Sequence, residues 1–82
     1  MPLTLHILTP KTAGIEREAV KVFFPGKAGS FEVLNNHAPL ISYLGKGLIR
    51  WENAGDGSQE SFAISSGFVE IRDNVITVTA EQ

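Results

Sequence analysis

Apolar and polar residues alternate along most of this chain, and the alternation has a period of two. In residues 3–8, Leu3, Leu5 and Ile7 fall on one side and Thr4, His6 and Leu8 on the other, the pattern of a strand with one buried face. Residues 9–14, with Pro10 and Gly14, break the pattern. Over residues 15–24 the parity of Glu16, Glu18, Val20, Val22 and Phe24 changes from charged to apolar partway along, which predicts two short strands joined by a bend or bulge. Residues 30–34 put Phe31 and Val33 on one face, 48–52 turn Ile49 and Trp51 inward, 59–64 do the same with Phe62 and Ile64, and 68–72 with Val69 and Ile71. Residues 40–44 are an apolar run too short for a typical helix, and residues 75–79 are rich in β-branched side chains. Turn formers separate these runs: Gly45-Lys46-Gly47, residues 53–58, and Asp73-Asn74. No window carries a 3.6-residue period and no segment repeats. The fold predicted is all-β: one domain over residues 1–82, a two-layer antiparallel β-sandwich or flattened barrel.

The densest run of special residues lies between two of these strands, in residues 25–40. Pro25-Gly26 suits the centre of a type II turn, with Gly26 taking positive φ. Gly29 reopens an extended run, Asn35-Asn36 tolerate left-handed backbone, and Pro39 pushes Ala38 toward an extended conformation. The segment therefore predicts a short strand ending in a stiff loop that carries His37.

Composition narrows the function classes. With 82 residues there is room for one thin core. At 43% hydrophobic and 20% charged, the chain is that of a folded globule. A net charge of −2, with basic residues scattered singly, gives no footprint for nucleic acid. No apolar run approaches the ~20 residues of a membrane-spanning helix, and no signal-peptide pattern is visible. The absence of cysteine rules out disulfide and thiol chemistry and fits a cytoplasmic address.

Candidate chemistry is sparse. His6 reads as a surface or edge residue, and Glu16 with Glu18 as a solvated strand edge that discourages aggregation rather than an acid–base pair. Gly45-Lys46-Gly47 lacks the third glycine and following helix of a dinucleotide site, and Gly26-Lys27 lacks the spacing of a phosphate-binding loop. Ser65-Ser66-Gly67 lacks the flanking glycine and helix of a nucleophile elbow. No metal-ligand spacing is present, so the residues read as a binding or structural module without cofactor or metal. Phe23, Leu48 and Phe68 sit on the wrong parity for the core. Either small sheets bury both faces there, or a register slips, or these side chains form an exposed patch covered by a partner. His37 has two readings as well, an imidazole bonded to local backbone or a contact displayed on a rigid loop.

The run Pro25-Gly26-x-x-Gly29-x-Phe31-x-Val33-Leu34-x-x-His37-Ala38-Pro39-Leu40 has companions in Leu8-Thr9-Pro10 and in Ser65-Ser66-Gly67-Phe68-Val69-Glu70. Together they resemble the ε subunit of bacterial F-type ATP synthases, over residues 3–79. The resemblance implies the two-layer β-sandwich of that subunit's N-terminal domain. It also implies a non-catalytic rotor role in the central stalk, joining the γ subunit to the c-subunit ring in a proton- or sodium-driven enzyme, peripheral on the cytoplasmic face of the bacterial inner membrane. No nucleic acid, cofactor or small-molecule substrate is implied. Carried over by motif, Phe31, Asn36, His37, Ala38 and Pro39 would lie in or near a ring-facing loop. Leu40 and Ser42 would continue toward the γ side, joined there by Phe23, Leu48 and Phe68. Ser30 and Glu32 depart from the family pattern, and Glu32 is assigned no contact. Many ε subunits continue into a helical hairpin that inhibits ATP hydrolysis; these residues stop at the last strand, so neither that inhibition nor a nucleotide site is expected of them. The alternatives are a free-standing β-sandwich ligand-binding module and a small sandwich-type metalloenzyme.

Overall fold

In the computed structural model, which describes residues 2–82, the alternation of Leu3, Leu5 and Ile7 becomes strand β1 (Leu3–Thr9), with all three side chains buried. Seven strands follow: β2 (Thr12–Phe24), β3 (Phe31–Leu34), β4 (Leu40–Leu44), β5 (Gly47–Asn53), β6 (Gln59–Ile64), β7 (Ser66–Arg72) and β8 (Val75–Glu81). They form one hydrogen-bonded path in the order β4-β7-β8-β1-β2-β5-β6, with β3 paired to β2 off the path. The path folds over at β2 into two layers. One contains β4, β7, β8, β1 and the first half of β2, and the other contains the second half of β2 with β3, β5 and β6.

Strand β2 departs from the expected pair of short strands, being continuous over 13 residues. Its register shifts between Ala19 and Lys21 against β5, so that Ala19 and Val22 are both buried while Val20 is exposed. The extra residue inverts the parity and bends the strand. One strand can therefore serve both layers, and the change from charged to apolar parity along residues 15–24 is the trace of that bulge.

Among the described residues, every strand pair is antiparallel but one. β1 and β8 run parallel, with Leu5 opposite Ile76 and Ile7 opposite Val78. A parallel pair cannot be closed by a tight turn, and here nearly the whole chain lies between the two strands. The core between the layers takes Leu3, Leu5, Ile7, Val22, Phe24, Val33, Leu44, Ile49, Trp51, Ile64, Val69, Ile71, Ile76 and Val78, with Phe62 half-buried at its edge. Among the described residues no polar or charged side chain is buried.

The connection from β2 to β3 turns at Lys27-Ala28, not at a type II turn centred on Pro25-Gly26. Gly26 is not at positive φ; it forms an antiparallel bridge with Leu44, and the Gly29 amide donates to the Gly26 carbonyl at 3.1 Å. The left-handed residue is Gly29, at φ +139°. Glycine is required at position 26 by space, because a Cβ there would come within 2.3 Å of the Gly29 carbonyl oxygen and 2.9 Å of the Phe31 ring.

Arg17 and Glu60 lie opposite buried Leu5 and Trp51 in their strand pairs, so both point to the rim of the interlayer space. The Arg17 Nε–H donates to Glu60 Oε2 at 2.9 Å, and Asn53 Nδ2 donates to the same oxygen at 2.7 Å. The Arg17 hydrogen bond, then that from Asn53, holds the Glu60 carboxyl below its ordinary value of 4.5. A depressed carboxylate stabilises the fold above its unfolded pKa, and that contribution disappears as pH falls through the folded value. Both side chains are solvent-accessible, so the pair is worth at most about 1 kcal/mol. Glu60→Gln is expected to lower the denaturation midpoint slightly at pH 7, with the gap from wild type closing as the pH falls below about 4.5. A gap that held constant down to pH ~3 would show that the charge of Glu60 contributes nothing.

Candidate functional site

The loop of residues 35–39 and the β7–β8 turn meet at one end of the sandwich. Asn36 sits in left-handed backbone at φ 64°, as its residue type allows, and its amide donates to Asn74 Oδ1 at 2.7 Å. The His37 amide donates to the Leu34 carbonyl at 3.1 Å. The His37 ring is half-buried, with Nδ1 2.7 Å from the Ala38 carbonyl oxygen. A carbonyl can only accept, so Nδ1 carries the hydrogen. His37 is thus bonded to local backbone rather than freely displayed. Asn36, His37, Ala38 and Pro39 line a shallow open depression together with Asp73 and Asn74.

Phe31 is not part of that end. It stacks on Phe24 with ring centroids 5.5 Å apart, at the other end of β3 and beside the turn that contains Gly26. The two special turns of residues 25–40 therefore occupy opposite poles, separated by about 10 Å of strand.

The residues expected on a γ-facing patch fall on three surfaces. Phe23 and Leu48 are exposed on the outer face of the β2–β5–β6 layer, where the Arg50 guanidinium lies 5.8 Å from the Phe23 ring centroid. Phe68 is half-buried on the outer face of the opposite layer. Leu40 turns inward against the core, and Ser42, opposite buried Val69, lies on the same inner side of β4. The structure does not bring the five together.

Phe68 instead has neighbours that the sequence reading left out. Tyr43 stands opposite it across the β4–β7 pair, edge to face with ring centroids 5.4 Å apart. Ile41 lies on the same face of β4, and Leu8 is reached across Thr79. Tyr43 and Ile41 are 68% and 64% exposed, far more than packing against their own fold requires. The signal was present in the alternation of β4, whose inward residues are Leu40, Ser42 and Leu44. What the sequence could not supply was the register that sets Tyr43 beside Phe68.

The remaining candidates for chemistry stay apart. His6 Nδ1 lies 3.7 Å from Glu16 at the surface, and among the described residues no three His, Cys, Asp or Glu are grouped to hold a metal. Asp56 accepts hydrogen bonds from the Ser58 amide and hydroxyl, which lower its pKa, within the β5–β6 hairpin loop. The cleft beside Trp51 measures about 150 Å³, below the ~300 Å³ of ordinary small-molecule sites. Trp51 itself is 3% exposed, with its indole N–H on Asn53 Oδ1 at 3.1 Å, and so offers no stacking platform.

Two layers of strand around one apolar core, with an aromatic outer face, a polar loop end and open depressions at the surface, define a small β-sandwich domain. The chain belongs to the family described as ATP synthase, Delta/Epsilon chain, beta-sandwich domain, whose model matches residues 2–82. It is 41% identical over 78 residues to the ATP synthase epsilon chain of Desulfitobacterium hafniense (strain DSM 10664 / DCB-2), covering 95% of this chain but 58% of that one. It is 37% identical over 79 residues to the epsilon chain of Chlorobaculum tepidum, covering 96% and 89%. The chain therefore spans little more than half the length of the Desulfitobacterium relative and most of the Chlorobaculum one. Its fold matches a chain in the Euglena gracilis mitochondrial ATP synthase structure (OSCP/F1/c-ring) with a TM-score of 0.87 at 19% identity, over 99% of this chain and 51% of that one. A chain in the central stalk/c-ring structure of the Tetrahymena thermophila mitochondrial ATP synthase gives 0.82 at 12% identity, over 100% and 65%. At these identities the likeness is one of fold.

Proposed function

We propose that this domain works in the rotor of an F-type ATP synthase as a non-catalytic element of the central stalk, joining the γ subunit to the c-subunit ring at the cytoplasmic face of a bacterial membrane. The observation that carries this reading is the placement of two chemically different surfaces on one stiff body. The aromatic face of Ile41, Tyr43 and Phe68 suits a partner that buries apolar area, and γ is assigned there. The loop end of residues 36–39 offers backbone and amide groups suited to hydrogen bonding with the polar loops of the ring. Transmission of torque between partners requires a body that does not shear, and a core shared by two layers joined through one continuous strand meets that requirement. Family membership supports the assignment, as do the central-stalk and c-ring assemblies in which the structural matches occur.

The test is calorimetric titration with the γ subunit of the same organism, followed by co-sedimentation with vesicles carrying the c ring. Wild type is expected to bind γ one-to-one. His37→Ala should keep γ binding and weaken co-sedimentation. Lys27→Ala, in the exposed turn at the opposite pole, reports on the other end; loss there alone would move the ring contact to that pole. Failure of the folded wild type to bind γ would return the sandwich to the class of free-standing ligand-binding modules.

A further inference from the structure

We infer that Asn74 is a positioning residue for the loop of residues 35–39, acting through its side-chain amide across a sequence separation of 38 residues. Asp73 and Asn74 both have positive φ, 52° and 63°, the geometry of a two-residue hairpin turn that follows the twist of its flanking strands. That turn sets the Asn74 backbone firmly, and its carbonyl accepts the Thr4 amide at 2.9 Å, tying the hairpin to the start of β1. From this fixed base Asn74 Oδ1 reaches the Asn36 amide at 2.7 Å. The other hydrogen bonds of the loop are local, from the His37 amide back to Leu34 at the end of β3 and from the His37 ring to Ala38. Among the described residues, the Asn74 bond is thus the one that ties the loop to an element other than β3, the strand it leaves.

The tether matters because Asn36 is held in left-handed backbone, a conformation an L-residue adopts at a cost. Released from Asn74, Asn36 is free to relax to ordinary backbone, and the direction in which residues 37–39 leave β3 changes with it. The amide of Asn74 therefore presets the loop before any partner arrives, which lowers the ordering cost of binding. The functional half of this inference rests on the loop being the polar contact proposed above.

Asn74→Gly removes the acceptor while keeping a residue that accepts positive φ, and Asn74→Asp keeps both acceptor and turn. Amide hydrogen exchange of the chain reads the loop directly. In Asn74→Gly the Asn36 amide is expected to exchange about tenfold faster, with the amides of Ile76 and Val78 unchanged, and Asn74→Asp should restore the wild-type rate. Co-sedimentation with ring-bearing vesicles should weaken by a similar factor in Asn74→Gly, with γ binding intact. Wild-type exchange at Asn36 in Asn74→Gly would overturn the inference. Faster exchange with unchanged co-sedimentation would uphold the positioning role and remove the loop from the ring contact.

Discussion

Phe68→Asp is expected to weaken γ binding by roughly 100-fold or more, with the domain still folded. Phe68 lies on the outer face of β7, and its neighbours Val69 and Ile71, not Phe68 itself, fill the core. A carboxylate at position 68 is therefore solvated in the free domain. In a complex it would be buried against an apolar partner surface beside Tyr43, 5.4 Å away ring to ring. An anchoring aromatic at the centre of an interface is worth about 2 kcal/mol or more, and an unpaired buried charge adds a desolvation penalty of its own. Phe23→Asp, on the opposite outer face beside Arg50, is the matched control and is expected to leave γ binding within about twofold. Calorimetric titration of both variants decides the matter. If Phe23→Asp abolishes binding and Phe68→Asp does not, γ sits on the other layer, and the exposed Tyr43 and Ile41 require another partner.

Gly26→Ala should cost about 1–3 kcal/mol of folding stability, because the added methyl has nowhere to go. One neighbour is the Gly29 carbonyl oxygen at 2.3 Å, which is backbone inside a turn; the other is the Phe31 ring, itself stacked on Phe24. Neither is the flexible tip of a long side chain. The surrounding backbone is committed as well, since Pro25 and Lys27 hydrogen-bond to Gly45 and Tyr43 at 2.8 and 3.0 Å. For a domain of this size, whose whole stability is roughly 4–12 kcal/mol, the loss is a large fraction. Gly57→Asn is the contrast: nothing lies within 4 Å of its Cβ position, and asparagine tolerates the φ of 72° found there. It should be nearly neutral. Denaturant midpoints of the two variants provide the check. A Gly26→Ala midpoint equal to that of wild type would mean that the turn can open without cost and that Gly26 is not held by space.

The resemblance identified in residues 25–40 and 65–70 led to the family that the domain comparison shows, and strand content followed from the alternation alone. Leu3, Leu5 and Ile7 were legible as a core face because a period-two pattern in a half-buried strand depends on nothing outside that strand. The left-handed Asn36 and the turn at Asp73-Asn74 were legible for the same reason, as backbone preferences of the residues themselves. The γ-facing group was not. Phe23, Leu48 and Phe68 were recognised as surplus to the core, yet whether they share a face depends on which layer each strand joins, and they belong to opposite layers.

By itself, then, the sequence determined local facts: the hairpin loop of residues 53–58 and the turn at Asp73-Asn74, the apolar side of strands such as β1, and that convergent catalytic groups are lacking in its motifs. These are set by interactions over a few residues. Tertiary structure alone decided the parallel pairing of β1 with β8, the continuity of β2 across both layers, the contact of Tyr43 with Phe68, and the bond from Asn74 to Asn36. Each of these joins residues through strand register, and register is a property of the assembled sheet, in which a slip of one residue exchanges the buried face for the exposed one.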